Sequence, residues 1–383
     1  MRKYKVMSIF GTRPEAIKMA PLVKVLEQEP VFESVVVVTA QHREMLDQVL
    51  NLFQITPRYD LNIMQAGQTL YDITCRALKG LESILAAEKP DIVLVHGDTT
   101  TTFAGSLAAY YQQIPVGHVE AGLRSGNIYS PFPEELNRKL TGGMAALHFA
   151  PTRTARDNLL AEGIKAEQIF VTGNTVIDAL LRTVKPAFNF PAELNKIDFV
   201  KRRLLLVTTH RRENLGGPME NIFKALVRLH NSFTDIEIVF PIHKNPAVRN
   251  LAYRFLTKSE RIHLIEPLDY EPFANLMAAS YLILTDSGGL QEEAPALGKP
   301  VLVLRDNTER PEAVKAGTVV LVGTGEENVY KTTENLLNNR EVYDKMEKAA
   351  NPYGDGNASE RITAGLKYYF KVSKNKPGDW QSA

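Results

Sequence analysis

"DIVLVHGDTTTTFAGSLAAYYQQIPVGHVEAGLRSG", residues 91–126, carries the pattern that decides the fold. An apolar run of strand length, DIVLVHG, leads through four threonines into a small-residue helical stretch, TTFAGSLAAYYQQ. A second apolar run, IPVGHVE, follows. Runs that are apolar at nearly every position, rather than every other one, suit strands covered on both faces, as in a parallel sheet. Strand, helix and strand make one βαβ unit. Each run delivers a carboxylate at its exit, Asp98 after the first and Glu120 after the second, and SPFPEELNRKL downstream adds Glu134. A charged group where a buried strand emerges calls for a reason.

The same alternation extends in both directions. KVMSIF and SVVVVTA precede the unit and ALHFA and QIFVTG follow it. A second series comprises RLLLVTTH, IEIVFPIH, IHLIEP, YLILTDSG, VLVLRD and TVVLVG, separated by helical patterns such as PMENIFKALVRLHNSF and ENVYKTTENLLNN. Two series predict an α/β protein with two doubly wound parallel sheets. Prolines break the periodicity in TVKPAFNFPAELNKIDFV, so a first domain is expected over 1–185 and a second over 186–357. SERITAGLKYYFKV, after the turn-rich NPYGDGNA, predicts a closing helix over about 358–383 that packs back onto the first domain. In open parallel sheets, ligands gather beyond the carboxyl ends of the strands. Asp98, Glu120, His210, His243 and TDSGG all fall there. Two such domains facing each other would bring them to one cleft.

Bulk properties narrow the function. At 383 residues the chain exceeds one typical core, and its net charge of +1, from 45 basic and 44 acidic residues, provides no global field for nucleic acid or a membrane surface. Any anion site must be local. Cys75 is the single cysteine, which excludes an intramolecular disulfide and argues against a thiolate metal site. No apolar run approaches the ~18 residues of a membrane span. The apolar stretch before Gly-Thr-Arg-Pro is too short for a signal peptide, so the chain reads as cytosolic.

FGTRPEAIKMAP (10–21) follows the first strand and opens a helix. Thr12 and Glu15 fit a capping box, Pro14 suits a first helical turn, and Pro21 should kink or split the helix. A turn into a helix N-terminus beside Arg13 and Lys18 is a natural anion site, although a plain capped helix accounts for it equally. It is not G-x-G-x-x-G, so dinucleotide binding is unsupported. TDSGGLQEEAPALGKPV (285–301) places Ser287, Gly288 and Gly289 before a helix, where backbone N–H groups would hold a pyrophosphate, and Arg305 and Arg310 follow. Of Glu292 and Glu293, one can face a ribose diol; Glu292 by itself reads as an ordinary helix-start residue. TTHRRENLG (208–216) puts His210 at a strand exit beside Arg211 and Arg212, a functional position; His243 has weaker company, and His96 and His118 fit the core equally well. Singly, Asp98 could cap the helix that starts at Thr99–Thr101 and Glu134 could be a first-turn residue. Glu120, followed by Ala-Gly, has no such structural explanation.

HGDTTTTFAGSLAA, GHVEAGLRS, PFPEELNR, THRREN, TDSGGLQEEAP and VLRDNTERPEA together resemble the motifs of the non-hydrolysing UDP-N-acetylglucosamine 2-epimerases of bacteria, in order and across about the whole chain. The resemblance implies a GT-B-like arrangement of two Rossmann-like domains, interconversion of UDP-GlcNAc and UDP-ManNAc for cell-surface polysaccharide synthesis, and a homodimer. It assigns acid–base roles to Asp98, Glu120 and Glu134 and an active-site histidine to His210. Nucleotide contacts fall on Arg13, Lys18, Leu268, Phe273, Ser287, Gly288, Gly289, Glu293 and Arg310. Some members are activated by a second UDP-GlcNAc. The matching positions are Gln41, His42, Glu134 and Arg211, but Glu44 and Gly67 depart from that pattern, where activated members tend to carry Gln and Arg.

The implied chemistry explains three carboxylates. The C2 hydrogen of an N-acetylhexosamine has no adjacent ketone, and loss of the anomeric UDP is what acidifies it. Elimination to a 2-acetamidoglucal is anti from the gluco isomer and syn from the manno isomer, so proton-transfer groups must serve both sugar faces. Neighbouring carboxylates in a closed site can hold the ionised and the protonated form at once. The scheme requires no metal or redox cofactor. A GT-B glycosyltransferase, a hydrolysing epimerase that releases ManNAc, and a nucleotide-sugar sensor are the alternatives; the intact carboxylate and histidine set argues against the sensor.

Overall fold

The computed structural model describes residues 2–40, 43–194, 196–199 and 201–381. Gln41 and His42, assigned above to an activator site, lie outside the described residues. The chain divides into two compact units, Met1–Arg182 with Tyr353–Gln381, and Thr183–Pro352.

In the first unit the strands are β1 (Tyr4–Phe10), β2 (Phe32–Val38), β3 (Tyr59–Asp60), β4 (Ile92–His96), β5 (Val116–Val119), β6 (Leu147–Ala150) and β7 (Ile169–Val171). They form one parallel sheet in the order β3-β2-β1-β4-β5-β6-β7. The second unit holds β8 (Arg203–Thr208), β9 (Ile236–Pro241), β10 (Ile262–Ile265), β11 (Leu282–Thr285), β12 (Val301–Val303) and β13 (Val319–Leu321), parallel in the order β10-β9-β8-β11-β12-β13. Both sheets are doubly wound, so the α/β fold of two Rossmann-like units expected from the alternation is present. Strand order reverses between β1 and β4 in one sheet and between β8 and β11 in the other. Those are the switch points where α/β sheets open a crevice.

The apolar runs are strands because both of their faces are covered. All five residues of β4 are buried. Met7, Ile9, Val35, Val37, Val93 and Val95 pack against Leu81 and Leu85 of the helix Leu70–Glu88 and against Ala108 and Ala109. In the second unit Leu205, Val207, Ile238 and Phe240 pack against Phe223 and Leu226. Full burial of each large side chain contributes roughly 1.5–3 kcal/mol. Among the described residues, no helix is long and apolar enough to cross a membrane.

Three local features differ from the sequence expectation. The helix Arg13–Gln28 is not split at Pro21, which is buried with most of its neighbours. Packing of this face outweighs the one backbone donor that proline removes. The two-residue edge strand β3 was not foreseen, being too short to show a period. The last helix ends at Tyr369 and does not continue to the end of the chain. Lys371 takes a positive φ of 58°, and the segment beyond it is irregular, with the Trp380 amide donating to Val171 O at 2.8 Å.

Three strands of the first sheet carry buried histidines: His96 on β4, His118 on β5 and His148 on β6, the last two in register. Desolvation holds all three neutral, pushing His96 and His148 down to about 4 and His118 to about 3. In the unfolded chain they gain protons near their ordinary value of 6.5. Stability from their burial is therefore complete above that value and lost as pH falls towards 4, at up to about 1.4 kcal/mol per pH unit for each group. Urea denaturation between pH 7.5 and 4.5 is expected to show this acid-side loss, with a shallower slope in His148→Leu.

Candidate active site

Glu120 leaves β5 with φ 62°, in the left-handed region that costs a non-glycine residue roughly 1–2 kcal/mol. The following glycine is required by close packing: Gly122 has φ 90°, and a Cβ there would lie 2.2 Å from Ala155 O. The strained turn drives the Glu120 carboxylate into a set of polar groups. Lys18 Nζ pairs with its Oε2, Asn174 Nδ2 donates to the same oxygen at 2.8 Å, and His96 Nε2 lies 3.8 Å away. Lys18 shares a helix face with Glu15, three residues earlier, and this face turns towards the strand ends. The sequence grouped Lys18 with the nucleotide contacts; the structure joins it to Glu120.

Asp98 does not cap the helix after it. Thr99 does, accepting from the Thr102 amide at 3.1 Å. Asp98 Oδ2 instead pairs with Arg138, whose other nitrogen reaches the fully buried Glu135 at 3.0 Å, and Asn137 Nδ2 donates to Asp98 O at 3.0 Å. Glu135 accepts the amides of Ser125 and Gly126 at 3.0 and 3.2 Å, tying down the loop after Glu120. Glu134 is the first residue of the helix Glu134–Met144, and its Oε2 is buried with no hydrogen-bond partner among the described residues. Arg13 opens the first helix, partly exposed. Asn137, Arg138 and Asn174 were missed by the sequence reading, although PFPEELNR contains the first two.

Glu15 underlies this arrangement. Its carboxylate accepts the amides of Gly11 and Thr12 at 3.1 and 2.8 Å and the hydroxyls of Thr99 and Thr102 at 2.7 and 3.1 Å. The loop after β1 is thereby joined to the loop after β4. Burial pushes Glu15 up from its ordinary value, opposed by the Thr99 and Thr12 hydroxyls and the two amides.

The second unit gathers the other candidates. Asp286, fully buried, takes the amides of His210 and Arg211 at 2.8 and 2.9 Å. Desolvation opposes its charge, but His210 and these amides outweigh it and hold Asp286 down at about 2. His243 stacks on His210, with ring centroids 5.2 Å apart, and burial lowers His243. Of the three Ser-Gly-Gly amides, that of Ser287 is donated internally to Thr285 Oγ1 at 2.9 Å. At Gly288 a Cβ would come within 3.1 Å of Glu309 Oε1, a tight approach to the end of a flexible side chain. Gly289 caps the short helix Leu290–Glu293, and Glu293 accepts from Tyr270 Oη at 3.4 Å. Arg310 precedes the helix Pro311–Ala316 and pairs with buried Glu292, so Glu292 is more than a helix-start residue. Arg211 bonds Asp286 O at 2.9 Å and Glu309 at 2.8 Å. Leu268 and Phe273, both partly buried, flank the start of the helix Tyr270–Ala279.

The first unit thus holds a strained carboxylate ringed by a lysine, an asparagine and a histidine, and the second holds an Asp–His pair beside the Ser-Gly-Gly turn. The family model described as UDP-N-acetylglucosamine 2-epimerase matches residues 24–367. The chain belongs to that family. It is 59% identical to the UDP-N-acetylglucosamine 2-epimerase of Bacillus subtilis, over 98% of each chain. It also resembles the S. aureus MnaA–UDP co-structure at 54% identity and a TM-score of 0.88, covering 99% of this chain and 100% of that one. A third relative is the Neisseria meningitidis UDP-GlcNAc 2-epimerase bound to UDP-GlcNAc, at 52% identity and a TM-score of 0.84, covering 94% of this chain and 99% of that one.

Arg138→Met removes the cation from both Asp98 and buried Glu135. Urea denaturation is expected to show a loss of about 3 kcal/mol, the penalty for stranding a buried charge. Adding Glu135→Gln should recover part of it.

Proposed function

We propose that this protein is a non-hydrolysing UDP-GlcNAc 2-epimerase, an isomerase that interconverts UDP-GlcNAc and UDP-ManNAc. The observation that carries the reading is Glu120, held in left-handed backbone and met by Lys18, Asn174 and His96. Stored strain of this kind persists where the surroundings over-determine it, and it concentrates at reacting groups. Membership of the epimerase family supports the substrate.

In this mechanism the first unit supplies proton transfer. Glu120, Asp98 and Glu134 serve the two faces of C2, as an anti elimination in one isomer and a syn elimination in the other demand. Lys18 balances the Glu120 charge, and Arg138 holds Asp98 in place. The second unit holds the nucleotide. Gly288 and Gly289 offer backbone amides, Arg310 offers a guanidinium oriented by Glu292, and His210 meets the diphosphate as the C1–O bond breaks. Glu293, Leu268 and Phe273 receive the nucleoside. The C2 proton leaves with the C1–O electron pair departing on UDP, giving the glycal; re-addition of UDP at C1 with protonation at C2 completes either isomer. UDP retained through both halves makes the enzyme non-hydrolysing. A homodimer is part of the reading, to be read by light scattering on the eluted protein.

Incubation with UDP-GlcNAc in D2O tests it. UDP-ManNAc carrying one deuterium at C2, seen by proton NMR and mass spectrometry, is expected. Free UDP accumulating with labelled ManNAc would make the protein a hydrolysing epimerase, and unlabelled, unchanged substrate would remove the epimerase reading. Glu120→Gln is expected to lower turnover at least ~100-fold, the scale of general acid–base catalysis, with UDP affinity retained in calorimetry.

A further inference from the structure

Asp286 directly follows β11 and is fully buried. Its two oxygens have different environments. Oδ2 accepts four hydrogen bonds: the Thr209 hydroxyl at 2.8 Å, the His210 amide at 2.8 Å, the Arg211 amide at 2.9 Å and Asn214 Nδ2 at 3.0 Å. These four shape the loop after β8. Oδ1 takes none of them, and His210 Nδ1 lies 3.2 Å from it. A buried carboxylate oxygen left without a donor is unfavourable, so the proton that fits between these atoms is the one on Nδ1. His243 fixes the ring from its face, stacked within 16° of parallel, while its own Nδ1 accepts the Asn245 amide at 3.1 Å.

We propose that Asp286 is a positioning residue for the reaction: its Oδ1 takes the His210 Nδ1–H and so reserves Nε2 for the diphosphate that leaves C1. The inference rests on reading His210 as part of the diphosphate clamp. With Nδ1–H committed, the ring can carry a second proton on Nε2 and donate it as a hydrogen bond to the departing phosphate oxygen. The Asp286 carboxylate then balances the charge on the ring. When UDP returns to C1 the same hydrogen bond is released. The logic is that of a carboxylate that orients a catalytic histidine without contacting the substrate.

Asp286→Asn separates this role from the scaffold. The amide oxygen can take the place of Oδ2 with its four donors. The amide nitrogen then occupies the place of Oδ1 and presents N–H, not a lone pair, to Nδ1. The loop is kept, but the ring can no longer hold a proton on Nδ1 as well as Nε2, and the positive charge it would bring to the departing phosphate is lost. The expected result is native stability, KM changed little, and kcat lowered by about 100-fold or more, the signature of an interaction made in the transition state. His210→Asn is measured in parallel, with the double variant. If His210→Asn keeps full turnover, the reading of His210 falls and this inference with it. If His210→Asn loses turnover while Asp286→Asn keeps it, that reading stands and the inference is overturned. The double variant is expected to be no slower than His210→Asn alone; a further equal loss would make Asp286 structural only.

A direct readout covers the case in which Asp286→Asn fails to fold. In the wild-type protein labelled with 15N-histidine, the His210 signals are assigned by their absence in His210→Asn. A proton on Nδ1 is expected. A neutral ring protonated only at Nε2 would overturn the proposal.

Discussion

Each unit depends on one buried carboxylate at the point where its strand order reverses. In the first sheet this is Glu15, which collects two backbone amides from the loop after β1 and two hydroxyls from the loop after β4. In the second it is Asp286, at the end of β11, collecting two amides and two side chains from the loop after β8. Two parallel strands that part company leave loops on opposite sides of a crevice, each with backbone donors that lack a ladder partner. A single buried carboxyl that accepts the amides of one loop and is carried by, or bonded to, the other locks the two together. The positions of Arg13, Asp98, His210 and Arg211 follow from those two joints.

The candidate chemistry is arranged on top of this. No candidate carboxylate of the first unit stands alone in the same way: Glu120 has a lysine and an asparagine, Asp98 has an arginine, and Glu134 has a buried oxygen with no partner among the described residues. The three carboxyl groups therefore sit in three different settings of charge and hydrogen bonding. The left-handed backbone at Glu120 and the glycine after it show that local conformational preference was overridden there. A residue held against its backbone preference where the surroundings over-determine it is the pattern expected of a functional position.

Much of this was legible. The buried runs, the capping box of Thr12 and Glu15, and the placement of Asp98, Glu120, His210 and Ser-Gly-Gly at strand exits follow from period and composition alone. The partners were not legible. Lys18 meets Glu120 across 102 positions, Arg138 meets Asp98 across 40, and His210 meets Asp286 across 76. Pairings of that separation leave no trace in a local pattern. The continuous helix through Pro21 and the end of the last helix at Tyr369 were hidden for a related reason, since packing and the turn at Lys371 decide them.

The sequence by itself determined which stretches, the short edge strand β3 apart, are strands, that they form two parallel sheets, and which reactive side chains stand at their carboxyl ends. Hydrophobic period and strand direction suffice for that, because both are properties of short segments. Only the tertiary structure decided what each reactive group touches: Lys18 on Glu120, Thr99 rather than Asp98 as the cap, and Asp286 beneath His210. Those outcomes depend on which loops the switch point brings together, and burial then favours pairing of the charges there, as at Glu120, Asp98 and Glu292.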